Sequence, residues 1–126
     1  MRKIASAFAL VLVTQVAGSS QAPVPSLPLG QGRPETPGVT RTTLKDDAKS
    51  TVIRVHFKAG AAEPPHTHPY DIIIIPIIAG NVTIMNGSQK LTSVKAGDVQ
   101  FVSRDVVHGV SNTSGQEFEL ISVALK

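Results

Sequence analysis

From Val39 to Lys126 the apolar residues never settle into the three- and four-residue spacing that gives a helix one buried face. They fall into short runs instead. Thr51–Phe57 alternates, with Ile53, Val55 and Phe57 on one side and Val52, Arg54 and His56 on the other, which is the pattern of a half-buried strand. Asp71–Ala79 (DIIIIPIIA) is apolar almost throughout, as expected of a strand buried on both faces. Further runs at Asn81–Met85, Leu91–Val94, Val99–Ser103, His108–Asn112 and Phe118–Leu125 are separated by Gly, Asn, Ser and Asp. Asn86-Gly87 predicts a hairpin, because both residues tolerate positive φ. Pro76 lacks the N–H that a central ladder position needs, so a bulge or a sheet edge is expected there. Seven or eight short strands without a helix predict a single all-β domain, a sandwich or small barrel over residues 39–126.

At 126 residues the chain has room for one hydrophobic core. It contains no cysteine, which excludes disulfides, thiolate metal ligands, a cysteine nucleophile and a lipidated cysteine anchor. No Gly-rich phosphate loop of the GxGxxG or GxxxxGKS kind is present. Residues 1–19 begin with Arg2 and Lys3, continue as a short apolar run and end in small residues. They read as a secretory signal peptide, with cleavage after Ser19 favoured over Ala22 and a periplasmic or secreted destination. The apolar run is too short for a stable membrane anchor. Without Arg2 and Lys3 the 12 basic residues become 10 against 9 acidic ones, a net charge of about +1, so the basic balance makes no case for nucleic acid as a partner. Residues 20–38 are rich in proline and glycine and predict a linker or extended arm with little structure of its own, able to reach a partner subunit.

Three of the 4 histidines carry the chemical signal. His66 and His68 are two residues apart, so on a strand they share a face. His108 lies in a separate predicted strand that a compact β fold could bring alongside. Three imidazoles around one ion suit Fe, Mn, Zn, Ni or Cu in the divalent state. His-x-His alone is common without metal.

The surroundings of these histidines resemble the cupin superfamily. Its first motif, G-x5-H-x-H-x3,4-E-x6-G, is met by Gly60, His66, His68 and Gly80. Its second, G-x5-P-x-G-x2-H-x3-N, is met by Gly97, His108 and Asn112, with Ser103 and Asp105 replacing the proline and the second glycine. The resemblance implies a jelly-roll barrel with a metal near its mouth, held by the two histidines and glutamate of the first motif and the histidine of the second. His66, His68 and His108 carry over. The glutamate does not, because Ile73 stands in its place and makes that wall apolar. Asp71 shares the strand face of Ile73 and has three readings: a replacement ligand, a residue that orients a ligand, or a strand-start residue bonded to backbone. The run HTHPYDIIIIPI also resembles small bacterial cupins with H-x-H-x-x-D, some of them named for β-alanine degradation.

Tyr70 and Asp71 are the candidates for acid–base work beside the metal, with plain packing the competing reading for Tyr70. His56, Glu63 and Asp98 read as solvated or turn residues. Three functions are compatible with these features: a metal-dependent enzyme of dioxygenase or other small-molecule type, a small-molecule binding module with or without metal, and a barrel that serves assembly only. A homodimer is expected under each of them, from the apolar run and the arm.

Overall fold

The computed structural model describes residues 23–126, so the signal peptide expected at 1–19 lies outside the described residues. All regular structure among them is β: β1 Val39–Asp46, β2 Ser50–Phe57, β3 Ala62–His66, β4 Asp71–Pro76, β5 Thr83–Asn86, β6 Gln89–Leu91, β7 Gln100–Val102, β8 His108–Ser111 and β9 Phe118–Leu125. They form two antiparallel sheets, β1-β2-β9-β4-β7 and β3-β8-β5-β6. Successive residues of β2, β4 and β9 alternate between buried and half-buried or exposed, as a sheet covered on one face requires. Ile53, Val55, Phe57, Ile72, Ile74, Phe118 and Leu120 from the larger sheet meet Ile84 and Val110 from the smaller. Phe57 and Phe118 lie opposite each other in register, with ring centroids 6.0 Å apart. The expected all-β sandwich is the fold, in one domain.

Two strands carry no hydrophobic signature and were invisible to pattern reading. β1 (VTRTTLKD) is an edge strand, exposed along most of its length, so nothing demands apolar alternation. β3 (AEPPH) contains two prolines, which can donate nothing to a ladder. The Asn86-Gly87 signal does mark a hairpin: Asn86 pairs with Gln89, and Gly87 takes φ 59° in the two-residue turn. Pro76 closes β4 beyond the last residue paired with β7, so its missing N–H leaves no gap in the ladder there. The outer face of β4 is less covered than the apolar run implied. Ile73 and Ile75 are half-buried, and Ile77 and Ile78 beyond the strand are exposed.

The proline-rich arm lies on the barrel rather than apart from it. Leu27 N donates to Thr67 O at 2.9 Å and Thr67 N to Pro25 O at 3.0 Å, a parallel bridge that prolongs β3. Leu29 is fully buried, which stabilises the arm by about 1.5–3 kcal/mol. Its N–H donates to the Tyr70 hydroxyl at 2.8 Å.

Candidate metal centre

His66 ends β3, His68 follows it in the stretch bridged to the arm, and His108 opens β8 directly across from His66. The pairing of β3 with β8 contains a bulge. Glu63 faces Val110 and His66 faces His108, so three steps on β3 oppose two on β8. Pro64-Pro65 supplies the extra residue, and the bulge turns both Glu63 and His66 inward although they are three positions apart, a spacing that would put them on opposite faces of a regular strand. Gly109 makes the crossing possible, since a Cβ there would stand 3.1 Å from Glu63 O and 3.4 Å from Pro65 N.

The three imidazoles are buried, with ring centroids 4.3 to 4.9 Å apart. Each donates Nδ1–H to a backbone carbonyl: His66 to Pro64 at 2.7 Å, His68 to Leu27, and His108 to Val106 at 3.0 Å. A carbonyl only accepts, so the proton of each neutral ring is on Nδ1 and Nε2 is left as an acceptor, which in His66 also lies 3.2 Å from Arg33 Nη2. One ligand atom from each ring lies within 4.8 Å of the others. His66 Nε2 and His68 Nε2 are 3.2 Å apart with no proton between them, two lone pairs facing each other. Nitrogens bound to one zinc-like ion at about 2.0–2.1 Å stand about 3.0–3.4 Å apart, so the spacing matches that of two ligands on one ion. Backbone acceptors behind the ligands fix ring orientation, as metal-binding histidines require. The residues present therefore fit a divalent metal.

Electrostatics keep the donors neutral. Burial pushes His66 down to about 4, with the Arg33 guanidinium and His108 adding to it. Burial likewise pushes His68 down to about 3 and lowers His108. Beside them sits a buried ion cluster. Glu63 accepts from Arg41 Nε at 2.9 Å and also from Arg41 Nη2, and it pairs with Arg33 Nη2 at 3.4 Å. The side chains of Arg33 and Glu63 are 6% and 10% exposed, so Glu63 is not the solvated loop residue that the sequence suggested. Two guanidinium groups against one carboxylate leave a net positive charge at the mouth. The remaining space at the histidines is a cavity of about 20 Å³, walled by Ile72, Ile74 and Leu120 and roofed by Leu29 and Arg33, with room for one water.

The β4 residues divide by parity. Ile72 and Ile74 face the histidines, whereas Ile73 pairs with Phe101 and Val123 on the outer face. The wall opposite the three histidines is therefore isoleucine, as read from the motif, but the residue is Ile72 rather than Ile73. Asp71 shares the outer face with Ile73 and accepts Arg104 N at 2.8 Å, so the structure does not bring it to the histidines. Tyr70 is adjacent, its ring stacked 6.0 Å from that of His68, but its hydroxyl is engaged by the arm. His56 points outward to Glu117 at 3.3 Å, and Asp98 caps its own turn through Lys95 N at 2.8 Å. Asp105, at the position of the motif's second glycine, adopts that glycine's left-handed φ, 61°. Asn112 is fully buried and donates to Lys58 O and Gln116 O while accepting from Ser114, so its place in the motif is structural. Sequence reading missed Arg33 and Arg41 and took Glu63 for a solvated residue. The only trace of them was Pro64-Pro65, a step that no regular ladder accommodates.

Comparison with known proteins agrees with this geometry. The Cupin domain family matches residues 53–124, which include all three histidines. No curated protein matches the chain by sequence. Among solved structures, the chain is similar to a cupin domain from Bordetella pertussis Tohama I, at 22% identity and TM-score 0.63 over 73% of this chain and 97% of that one. An RmlC-like cupin from Shewanella frigidimarina gives 22% identity and TM-score 0.63 over 70% and 76%. An uncharacterized protein with a double-stranded β-helix domain from Klebsiella pneumoniae gives 27% identity and TM-score 0.62 over 74% and 81%. With two facing antiparallel sheets, a buried triad of histidines and a family match over most of the described residues, this chain belongs to the cupin family.

Proposed function

We propose that the chain is a metalloprotein that holds one divalent transition metal, Fe, Mn, Zn, Ni or Cu, between His66, His68 and His108. One observation carries the reading: three neutral imidazoles converge with Nδ1 tied to backbone and two Nε2 lone pairs 3.2 Å apart. A bound ion of this class supplies Lewis acidity or a redox centre, with coordination positions left for a small molecule. The chain's own residues orient the donors through backbone carbonyls, keep bulk water out with Leu29, Ile72 and Ile74, and face the entrance with positive charge. The catalytic form of the proposal is a dioxygenase-type or other small-molecule reaction. The likeness to H-x-H-x-x-D cupins adds kinship to this reading but no substrate.

A non-catalytic binding role is the second reading, and a specific observation favours it. The carboxylates and phenol nearest the histidines among the described residues are all engaged: Glu63 by two arginines, Asp71 by Arg104 N and Tyr70 by Leu29 N. Elemental analysis of the full chain beside a His66→Ala/His108→Ala variant tests the metal itself. About one transition-metal ion per chain, lost in the variant, is expected. No metal in either chain after anaerobic loading with Fe²⁺ or Zn²⁺ would sink the reading. Oxygen uptake by the loaded protein then separates the two roles.

Export and pairing belong to the same proposal. Export is supported by the charged start and short apolar run of residues 1–19. N-terminal sequencing of chain from expressing cells should begin at Ser20 or Pro23, whereas Met1 would count against it. Pairing of two copies is supported by the outer face of β9-β4-β7, where Ile73, Phe101 and Val123 adjoin and Phe101 is 53% exposed. A sedimentation coefficient of a monomer at micromolar concentration would refute it.

A further inference from the structure

The atom that must bind the metal already has a partner. Arg33 Nη2 lies 3.2 Å from His66 Nε2, and since the His66 proton is on Nδ1, the guanidinium donates into the free lone pair. That lone pair can serve a metal or Arg33, not both. Once an ion took it, the guanidinium would be left without that acceptor and close to a second cation. Arg33 is almost completely buried and its other contacts are loose: Pro28 O at 3.3 Å and Glu63 at 3.4 Å. It is carried by a tight turn in which Arg33 N donates to Gly30 O at 3.2 Å and Gly32 has φ 84°. Glycines on both sides of Gln31 let this turn re-form without steric cost. The part of the arm just before it is different. Leu27 O accepts from His68 Nδ1 and Leu29 is buried, so that part supports the ligands and has no reason to leave. The cavity of about 20 Å³ beneath Arg33 admits nothing larger than water while the turn is closed.

We propose that Arg33 is a built-in competitor for the metal: in the metal-free chain it holds the His66 lone pair and closes the site, and metal loading swings the Gly30–Arg33 turn outward while Pro25–Leu29 stays in place. The affinity of the site is then set partly by a residue that never binds the ion. This inference rests on the three-histidine metal reading and extends it to an affinity-determining residue in the arm.

Zn²⁺ titration of the metal-free full chain against a chromophoric chelator tests it, with wild type, Arg33→Ala and Arg33→Gln compared after circular dichroism shows each to be folded. Arg33→Ala should bind Zn²⁺ at least about tenfold more tightly than wild type, since a charge-assisted hydrogen bond no longer has to be broken. Arg33→Gln keeps a donor without the charge and should fall between. In the wild-type chain, Zn²⁺ should speed hydrogen exchange at the Arg33 amide while the Leu27 and Leu29 amides stay protected. Equal or weaker Zn²⁺ binding by the folded Arg33 variants, with wild-type binding intact, overturns the competitor role and leaves the metal site standing. No binding by any of the chains overturns the metal site and the competitor role together.

Discussion

The two sheets of this protein are built on different terms. The five-stranded sheet is regular at its centre: β2, β9 and β4 pair without a single register break, and their inner faces are mostly isoleucine, valine, leucine and phenylalanine, with Thr51 and Ser122 the buried polar residues among them. The four-stranded sheet has strands of three to five residues, a bulge at Pro64-Pro65, and histidines where a core residue would otherwise be. The first sheet supplies the apolar burial on which stability depends. The second holds three polar rings that are costly to bury, and its irregularity is what aims them at one point. A site of this kind is possible in so small a domain because the neighbouring sheet carries the core.

That division should be breakable from either side, with unequal force. The largest effect is expected in the regular sheet. Phe118→Ala removes a fully buried ring from the Phe57 contact and should cost about 3–5 kcal/mol in urea unfolding, while the metal content of the chain that remains folded is unchanged. A cost below about 1 kcal/mol would mean that the core does not rest on this sheet.

The next effect belongs to the histidine sheet and appears as pH dependence in the metal-free chain. An unfolded histidine takes up its proton near about 6.5. Folded, His66 holds off to about 4 and His68 to about 3. The unfolded state thus binds more protons in this window, so stability is retained above about 6.5 and lost as pH falls towards 4. Between pH 7 and 5 the loss should reach about 2–4 kcal/mol, read from the shift in urea midpoint, and His66→Ala should reduce it. A flat profile in the wild-type chain would show that the rings are not desolvated as described.

The smallest effect lies in the loop that leads into β8. Asp105 occupies a left-handed conformation that glycine adopts freely, and its N–H donates to His68 O at 3.0 Å. Asp105→Gly should therefore keep the hydrogen bond and gain at most about 1 kcal/mol, seen as a slightly higher melting temperature. A clear loss of stability would assign the Asp105 side chain a role that its contacts do not suggest.

How far the sequence carried the reading depended on whether a residue's role was local. Alternation along Thr51–Phe57 and Phe118–Leu125 is a property of the strand itself, and both strands run as expected. The hairpin at Asn86-Gly87 is equally local. Parity told that Asp71 and Ile73 share a face, but parity is relative, and only packing against the histidines and Val102 shows that the inner residues are Ile72 and Ile74. β1 could not be read because an exposed edge strand obeys no hydrophobic constraint, and β3 because its bulge breaks the alternation that would have announced it.

The sequence by itself determined the class of fold and pointed to the three histidines that converge, because strand periodicity and the spacing of His66, His68 and His108 are encoded along the chain. Tertiary structure alone decided what surrounds them. Glu63 faces the site through one extra residue in β3, Arg41 reaches it from an edge strand, and Arg33 comes from an arm whose composition promised little structure of its own. Charge and access at the centre are set by groups 22 to 33 residues apart in sequence, and contacts between such groups exist only once the sheets have closed.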